Sequence, residues 1–224
     1  IFIKELVRKK IFNLDKNNLN GDKTYRDLEI GQSSISIQSG IKVTGTEDSL
    51  VGIAQSARYN EPTSSASNGG TIDLKGNSSI GIYNKRGYSE NTGIIDVAGN
   101  NGIGMYEVSG YNSNTGEIRI KDNGIGIYNT TYLDPEDNPY NSSYSTIENN
   151  GAIISNGGNK SIGIFANNNT SYGYMDLILN SSSDIDVSTS NGGIGVNGIN
   201  SNIYGGWKKK KKISVGENGV GIYG

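Results

Sequence analysis

Seven times along this chain an aliphatic-Gly-aliphatic triplet recurs, and that recurrence restricts the chain to a fold assembled from stacked repeats. The triplets centre on Gly52, Gly81, Gly104, Gly126, Gly163, Gly195 and Gly221, so successive steps are 29, 23, 22, 37, 32 and 26 residues. A unit of about 22 residues carrying insertions accounts for every step. Upstream of most triplets lies a second alternating segment: Ile72-Asp73-Leu74, Ile95-Asp96-Val97, Ile118-Arg119-Ile120, Ile185-Asp186-Val187 and Ile213-Ser214-Val215. Turn residues separate the two, as in Gly99-Asn100-Asn101-Gly102 and Lys121-Asp122-Asn123-Gly124. Each unit therefore reads as two short period-2 strands.

Strands this short cannot bury an apolar face alone, so the units must stack to build a continuous core. The expected fold is all-β, a parallel β-helix of about seven rungs, roughly 34 Å long at the inter-strand spacing of a sheet. Alternation assigns Ile72, Leu74, Ile80, Ile82, Ile95, Val97, Ile103, Met105, Ile118, Ile120, Ile125, Ile127, Ile185, Val187, Ile194 and Val196 to the interior, with the triplet glycine facing out. Tyr83, Tyr106, Tyr128, Phe165 and Tyr223 follow their triplets directly, with Ala54 and Asn197 as exceptions, and stacking predicts an aromatic ladder. Residues 40–224 are read as the repeats, with insertions at 55–69, 129–150, 166–182 and 197–211. Residues 1–39 are read as a cap or divergent coil, in which the basic and apolar start could be a short amphipathic helix. Ile103→Asp or Ile125→Asp is expected to collapse adjoining rungs, whereas Tyr140→Ala is expected to spare folding.

The chain has 33 Gly and 14 Tyr, no Cys and no His, and a net charge of −2. Lacking Cys, it can form neither a disulfide framework nor a thiolate metal site, and lacking His it can form no Ser-His-Asp triad. No apolar run reaches the ~20 residues of a membrane-spanning helix. No cofactor and no metal site is expected. The Asp134-Pro135-Glu136-Asp137 cluster offers oxygens to Ca²⁺ but lacks a calcium-loop pattern and reads as a solvated turn.

The pattern Gly-x-Ile-x-Val/Ile followed by Ile-Gly-Ile-Tyr, at Gly70 to Tyr83, Gly93 to Tyr106 and Gly116 to Tyr128, resembles the repeats of large fusobacterial type V autotransporter adhesins. The resemblance covers about residues 40 to 223. It implies a right-handed β-helical passenger, displayed extracellularly on the bacterial surface as a stalk for attachment to host cells or other bacteria. An outer-membrane translocator barrel is implied as well, outside this chain. The partner implied is a surface protein or glycan, with no nucleic acid involved.

Because the repeated positions are core positions, ligand contacts are expected in the insertions. Tyr132, Tyr140, Tyr144, Tyr172, Tyr174, Tyr204 and Trp207 are the candidate ligand-binding residues: rigid amphipathic rings among Ser, Asn and Gly suit adaptable recognition and stacking on sugars. Two other function classes share the fold. A polysaccharide lyase or hydrolase needs grouped carboxylates, and the outward column read as Lys42, Asp73, Asp96, Arg119, Ile154, Asp186 and Ser214 puts Asp73 beside Asp96 with Lys75 and Arg119 at hand. A phage tail fibre or spike would trimerise. Two departures from the pattern stand out. Ser155 replaces an aliphatic, and the Lys208 to Lys212 run, whose parity would aim Lys211 inward, is expected at a solvated corner.

Overall fold

The structure, a computed structural model, describes residues 34–56, 64–131, 144–170, 173–205 and 211–224 in full, together with the backbone of 11–14 and 29–31. The first coils contain β1 (Ile11–Leu14), β2 (Glu29–Gly31), β3 (Ser34–Ile37), β4 (Lys42–Gly45), β5 (Val51–Ser56), β6 (Ser64–Asn68), β7 (Thr71–Leu74) and β8 (Ile80–Lys85). The middle coils contain β9 (Gly87–Asn91), β10 (Ile94–Val97), β11 (Ile103–Val108), β12 (Tyr111–Asn114), β13 (Glu117–Ile120), β14 (Ile125–Thr130), β15 (Tyr144–Asn149) and β16 (Ala152–Ser155). The last contain β17 (Ile162–Asn167), β18 (Tyr174–Leu179), β19 (Asp184–Val187), β20 (Ile194–Ile199), β21 (Asn202–Gly205), β22 (Lys212–Val215) and β23 (Val220–Tyr223).

All pairings are parallel, and every third strand stacks on the one before it. Sheet I is β1-β3-β6-β9-β12-β15-β18-β21, sheet II is β4-β7-β10-β13-β16-β19-β22, and sheet III is β2-β5-β8-β11-β14-β17-β20-β23. The chain is a parallel β-helix of about seven rungs with three strands per rung, one more than the sequence pattern resolved. The additional strand is that of sheet I. It lies inside segments read as insertions: β6, β15, β18 and β21 fall within 55–69, 129–150, 166–182 and 197–211. Paired strands also begin upstream of residue 40, where β3 joins sheet I and Ile11–Leu14 pairs with it.

Each sheet sends side chains inward in columns, and sheet II sends two, the second through Leu74, Val97, Ile120 and Val187. Sheet II contributes Val43, Ile72, Ile95, Ile118, Ile153, Ile185 and Ile213 in register. Sheet III contributes Ile53, Ile82, Met105, Ile127, Ile164, Val196 and Ile222. Sheet I contributes Ile35, Ala66, Ser89, Asn112, Ile147, Leu177 and Ile203. Polar residues interrupt the third column, which is why periodicity alone did not expose this sheet.

The triplet departs from strict alternation. Gly81 and Ile82 are both buried while Ile80 is only partly so, and the ladder pairs Ile80 with Ile103 and Ile82 with Met105 without pairing the glycines. Ile80, Ile103, Ile125 and Ile194 therefore face outward, correcting the interior assignment, and the glycine faces inward. The reason is space. A Cβ on Gly104 would lie 2.4 Å from Ile118 Cγ2 and 2.5 Å from the Gly126 carbonyl oxygen, and the same clash recurs at Gly81, Gly126, Gly163 and Gly195. None of these five glycines has a positive φ, so the missing side chain rather than backbone freedom is what the position requires.

At the corner where sheet I passes to sheet II the interior is polar. Asn68 Nδ2 donates to Asn91 Oδ1 (2.9 Å), Asn91 to Asn114 (2.9 Å), Asn114 to Asn149 (2.8 Å), and Asn149 to Ser183 Oγ (2.7 Å). These amides are buried, and each bond is worth about 1 kcal/mol net while an orphaned amide costs more. Ser155, the break in alternation, is likewise buried and donates to Ser161 Oγ (3.0 Å), which donates to the Lys121 carbonyl (2.9 Å).

The collapse expected of Ile103→Asp and Ile125→Asp is corrected by this assignment, since both side chains face outward and the severe position is the inward Ile127. Ile127→Asp, which buries an unpaired carboxylate, is expected to cost roughly 4 kcal/mol or more, and the outward Ile125→Asp about 1 kcal/mol. Urea-unfolding midpoints of the two variants measure the difference.

Candidate functional site

Three sheets give the rod three outer faces of different chemistry. On sheet II the Asp73 column runs Thr44, Asp73, Asp96, Arg119, Ile154, Asp186 and Ser214, so Thr44 holds the place expected for Lys42, which stands two residues earlier opposite Thr71. Lys42 Nζ is 2.8 Å and Lys75 Nζ 2.6 Å from the Asp73 carboxylate, and Lys75 and Arg119 lie 4.0 and 3.9 Å from that of Asp96. Burial raises the Asp73 carboxyl, but hydrogen bonds and charge from Lys42 and Lys75 outweigh it and hold it below its ordinary value. Asp186 is held low mainly by hydrogen bonds from the Ser188 hydroxyl and backbone N–H. This is a face of compensated charge.

Sheet III is apolar outside. Beside the outward aliphatic column, Tyr106 and Tyr128 stack at 4.8 Å between ring centroids and Tyr128 and Phe165 at 5.0 Å, while Tyr83 meets Tyr106 edge-on at 5.4 Å. The aromatic ladder expected after the triplets is present from Tyr83 to Phe165, whereas Tyr223 lies opposite Asn197 and is exposed. The ladder's middle rings are covered on both faces by their neighbours and offer a ligand little more than their edges.

Sheet I carries tyrosines and acids. Tyr88 and Tyr111 stack at 5.2 Å, Tyr111 Oη donates to Glu148, and Asn180 Nδ2 donates to the same carboxylate. Burial, then the neighbouring carboxylates Glu90 and Glu148, keep the Tyr88 and Tyr111 hydroxyls protonated well beyond neutral pH. Tyr144 and Tyr174, opposite one another in register, stack at 5.5 Å and are 67% and 56% exposed. They are the first residues of β15 and β18, strand rather than loop residues. Tyr204, 51% exposed, faces Ile178 in a different column and is not brought to this pair. Tyr132, Tyr140, Tyr172 and Trp207 lie outside the described residues, as do the Asp134 to Asp137 cluster and Lys208 to Lys210. Lys211 is half-buried, and Lys212 is exposed at the start of β22.

The corner from sheet III to sheet I collects these features. It can be turned by Arg86 alone or by Ser109 and Gly110, yet the connections 57–63, 131–143 and 168–173 all leave from it. Between two successive coils it forms a cleft of about 450 Å³ lined by Asn168, Asn169, Thr170, Gly173 and Asn200. Asn168 braces its floor. Its Oδ1 accepts from the Thr131 hydroxyl (2.8 Å) and from the Thr170 hydroxyl (3.1 Å) and N–H (3.2 Å), and its Nδ2 donates to the Gly173 carbonyl (2.8 Å). Asn169 and Asn200 are tied to the rod through their amide nitrogens, to Thr130 Oγ1 (3.1 Å) and the Asn168 carbonyl (3.4 Å). Nothing local in the sequence marks this cleft, because Asn is common throughout the chain and these four polar residues stand in no distinguishing pattern. A second opening at the sheet II to sheet III corner is lined by Asn123, Asn159, Lys160, Ile162 and Ile194 among others, with no aromatic residue in its lining.

No family model, no curated protein and no solved structure matches the chain.

Inside the rod, sheet III carries a buried polar column of Gln55, Asn84, Glu107 and Asn129. Glu107 is fully buried, accepting from Ser89 Oγ (2.6 Å) and the Gly87 N–H (3.3 Å). Burial dominates these bonds and raises its carboxyl well above the ordinary value of 4.5. Above that value an unfolded chain releases the proton while the folded one keeps it, so the native state binds more protons and stability falls as pH rises. Asp73 and Asp186 act oppositely, losing their contribution as pH falls through their lowered values. Thermal melts at pH 4.5 and pH 7 are expected to show a smaller drop for Glu107→Gln than for the parent, since the amide has no proton to release.

Proposed function

We propose that this segment belongs to the β-helical passenger of a bacterial cell-surface adhesin, displayed outside the cell as a stalk and attaching to host cells or other bacteria. The observation that carries the reading is the division of labour around the rod: regular columns on the inside, and the connections 57–63, 131–143 and 168–173 leaving from one corner beside exposed tyrosines. A rigid scaffold that concentrates variable connections along one edge is the arrangement on which recognition loops are found. The solenoid supplies reach, since each added coil lengthens the rod by about 4.8 Å. The repeat resemblance supplies the bacterial-surface setting and the secretion route, an outer-membrane barrel carried elsewhere in the protein. Compensation of Asp73 and Asp96 by Lys42, Lys75 and Arg119 supports a structural reading of that pair over a glycosidase-like one.

Beads coated with the segment test this directly. The parent is expected to attach to epithelial cells or to other bacteria above an albumin-coated control. Replacing 132–143 by the Ser-Gly corner used at 109–110, which leaves β15 intact, is expected to reduce attachment while circular dichroism stays unchanged. A folded parent that attaches to nothing would overturn the reading.

A further inference from the structure

We infer that the cleft between Asn168 and Asn200 is a binding site for a neutral saccharide, with Tyr174 as its stacking wall. This deepens the attachment reading and rests on it, naming the class of partner that the corner would take. Three observations converge. The groups lining the cleft are amides, a hydroxyl and glycine backbone, with no charged side chain among those named. That chemistry matches a partner whose polar groups are uncharged hydroxyls, each able to donate and accept. The cleft has the volume of a small-ligand pocket and the polar character that lipid or a hydrophobic peptide would not satisfy.

Tyr174 is the second observation. Tyr106 and Tyr128 have a ring on either side, whereas Tyr174 ends its stack: Tyr144 covers one face, and among the described residues no ring covers the other. The ring is more than half exposed and directly follows Gly173, a cleft residue. The third is the direction of that open face. Asp176 pairs with Asn202 on the following coil, so the coil beyond Tyr174 presents the Asn200 corner, the other wall of the cleft. A pyranose entering there would lay its C–H face on the Tyr174 ring and direct its hydroxyls to the Asn169 and Asn200 amide oxygens and to Thr170. Asn168, held by four internal bonds, is a positioning residue that holds the floor in shape.

The lack of charge at the lining sets the class. A carboxylated sugar would meet no cation in the cleft, and it would approach a sheet whose outer face carries Glu90, Glu148 and Asp176.

Saturation-transfer NMR on the full chain with free glucose, galactose, mannose, N-acetylglucosamine and N-acetylneuraminic acid reads this site. At least one of the four neutral sugars is expected to receive saturation at millimolar concentration, and N-acetylneuraminic acid none. Tyr174→Ala and Asn200→Ala are each expected to weaken the interaction roughly tenfold, while Tyr88→Ala, away from the cleft, leaves it unchanged. Circular dichroism on each variant checks the fold, and Tyr174→Phe, which keeps the ring, is expected to retain binding. Saturation of none of the neutral sugars, stronger binding of the acidic one, or binding indifferent to both cleft variants would each overturn the inference. Bead attachment separates it from the reading it rests on: attachment without sugar binding removes the saccharide site and keeps the adhesin, and sugar binding through the cleft without attachment does the reverse.

Discussion

Stacking one coil on the next at the hydrogen-bonding distance of a sheet is the constraint on which everything else in this rod depends. A coil of three short strands has too little apolar surface to fold alone; its interior exists only because the coils above and below close it. In sheet II most inward positions therefore meet their own kind on both sides. Ile72, Ile95, Ile118, Ile153 and Ile185 form one such column, and like shapes at constant spacing pack without voids. The same geometry fixes the glycines, because two sheets converge where Gly81, Gly104, Gly126, Gly163 and Gly195 pass the isoleucines of sheet II, and no side chain fits between.

Stacking also makes buried polarity tolerable. An asparagine alone in an apolar core would leave several hydrogen-bonding positions empty, but asparagines one coil apart satisfy each other, donor to acceptor, along the axis. The column ends where Ser183 accepts the last amide. Glu107 shows the limit of this economy. It has no repeating partner one coil away of its own type, and it stays buried by accepting from Ser89 and Gly87 while burial raises its carboxyl above the ordinary value.

Function, on this reading, belongs to what stacking leaves free. Columns on the outside can be filled with compensated charge, as on sheet II, or with rings, as on sheet III, and both serve the rod. The corner from sheet III to sheet I is different, since its connections vary from a single residue to more than ten without disturbing the register. There the tyrosines become exposed, and an amide-lined cleft opens between coils.

The repeat of aliphatic-Gly-aliphatic and the paired alternating segments were enough to determine that this chain folds as a parallel solenoid, which inward columns sheet II and sheet III supply, and that Tyr83, Tyr106, Tyr128 and Phe165 stack. Those features are legible because they depend on local alternation and on identity between repeats. Alternation carried the reading one residue too far at Ile80, Ile103 and Ile125, since the bulge at the glycine arises from contact with another sheet and leaves no local mark. Sheet I was hidden for a related reason. Its inward column passes through Ser89 and Asn112, whose burial is decided by neighbours distant in sequence. The cleft belongs wholly to the tertiary structure, because Asn168 and Asn200 become neighbours only when one coil is laid on the next.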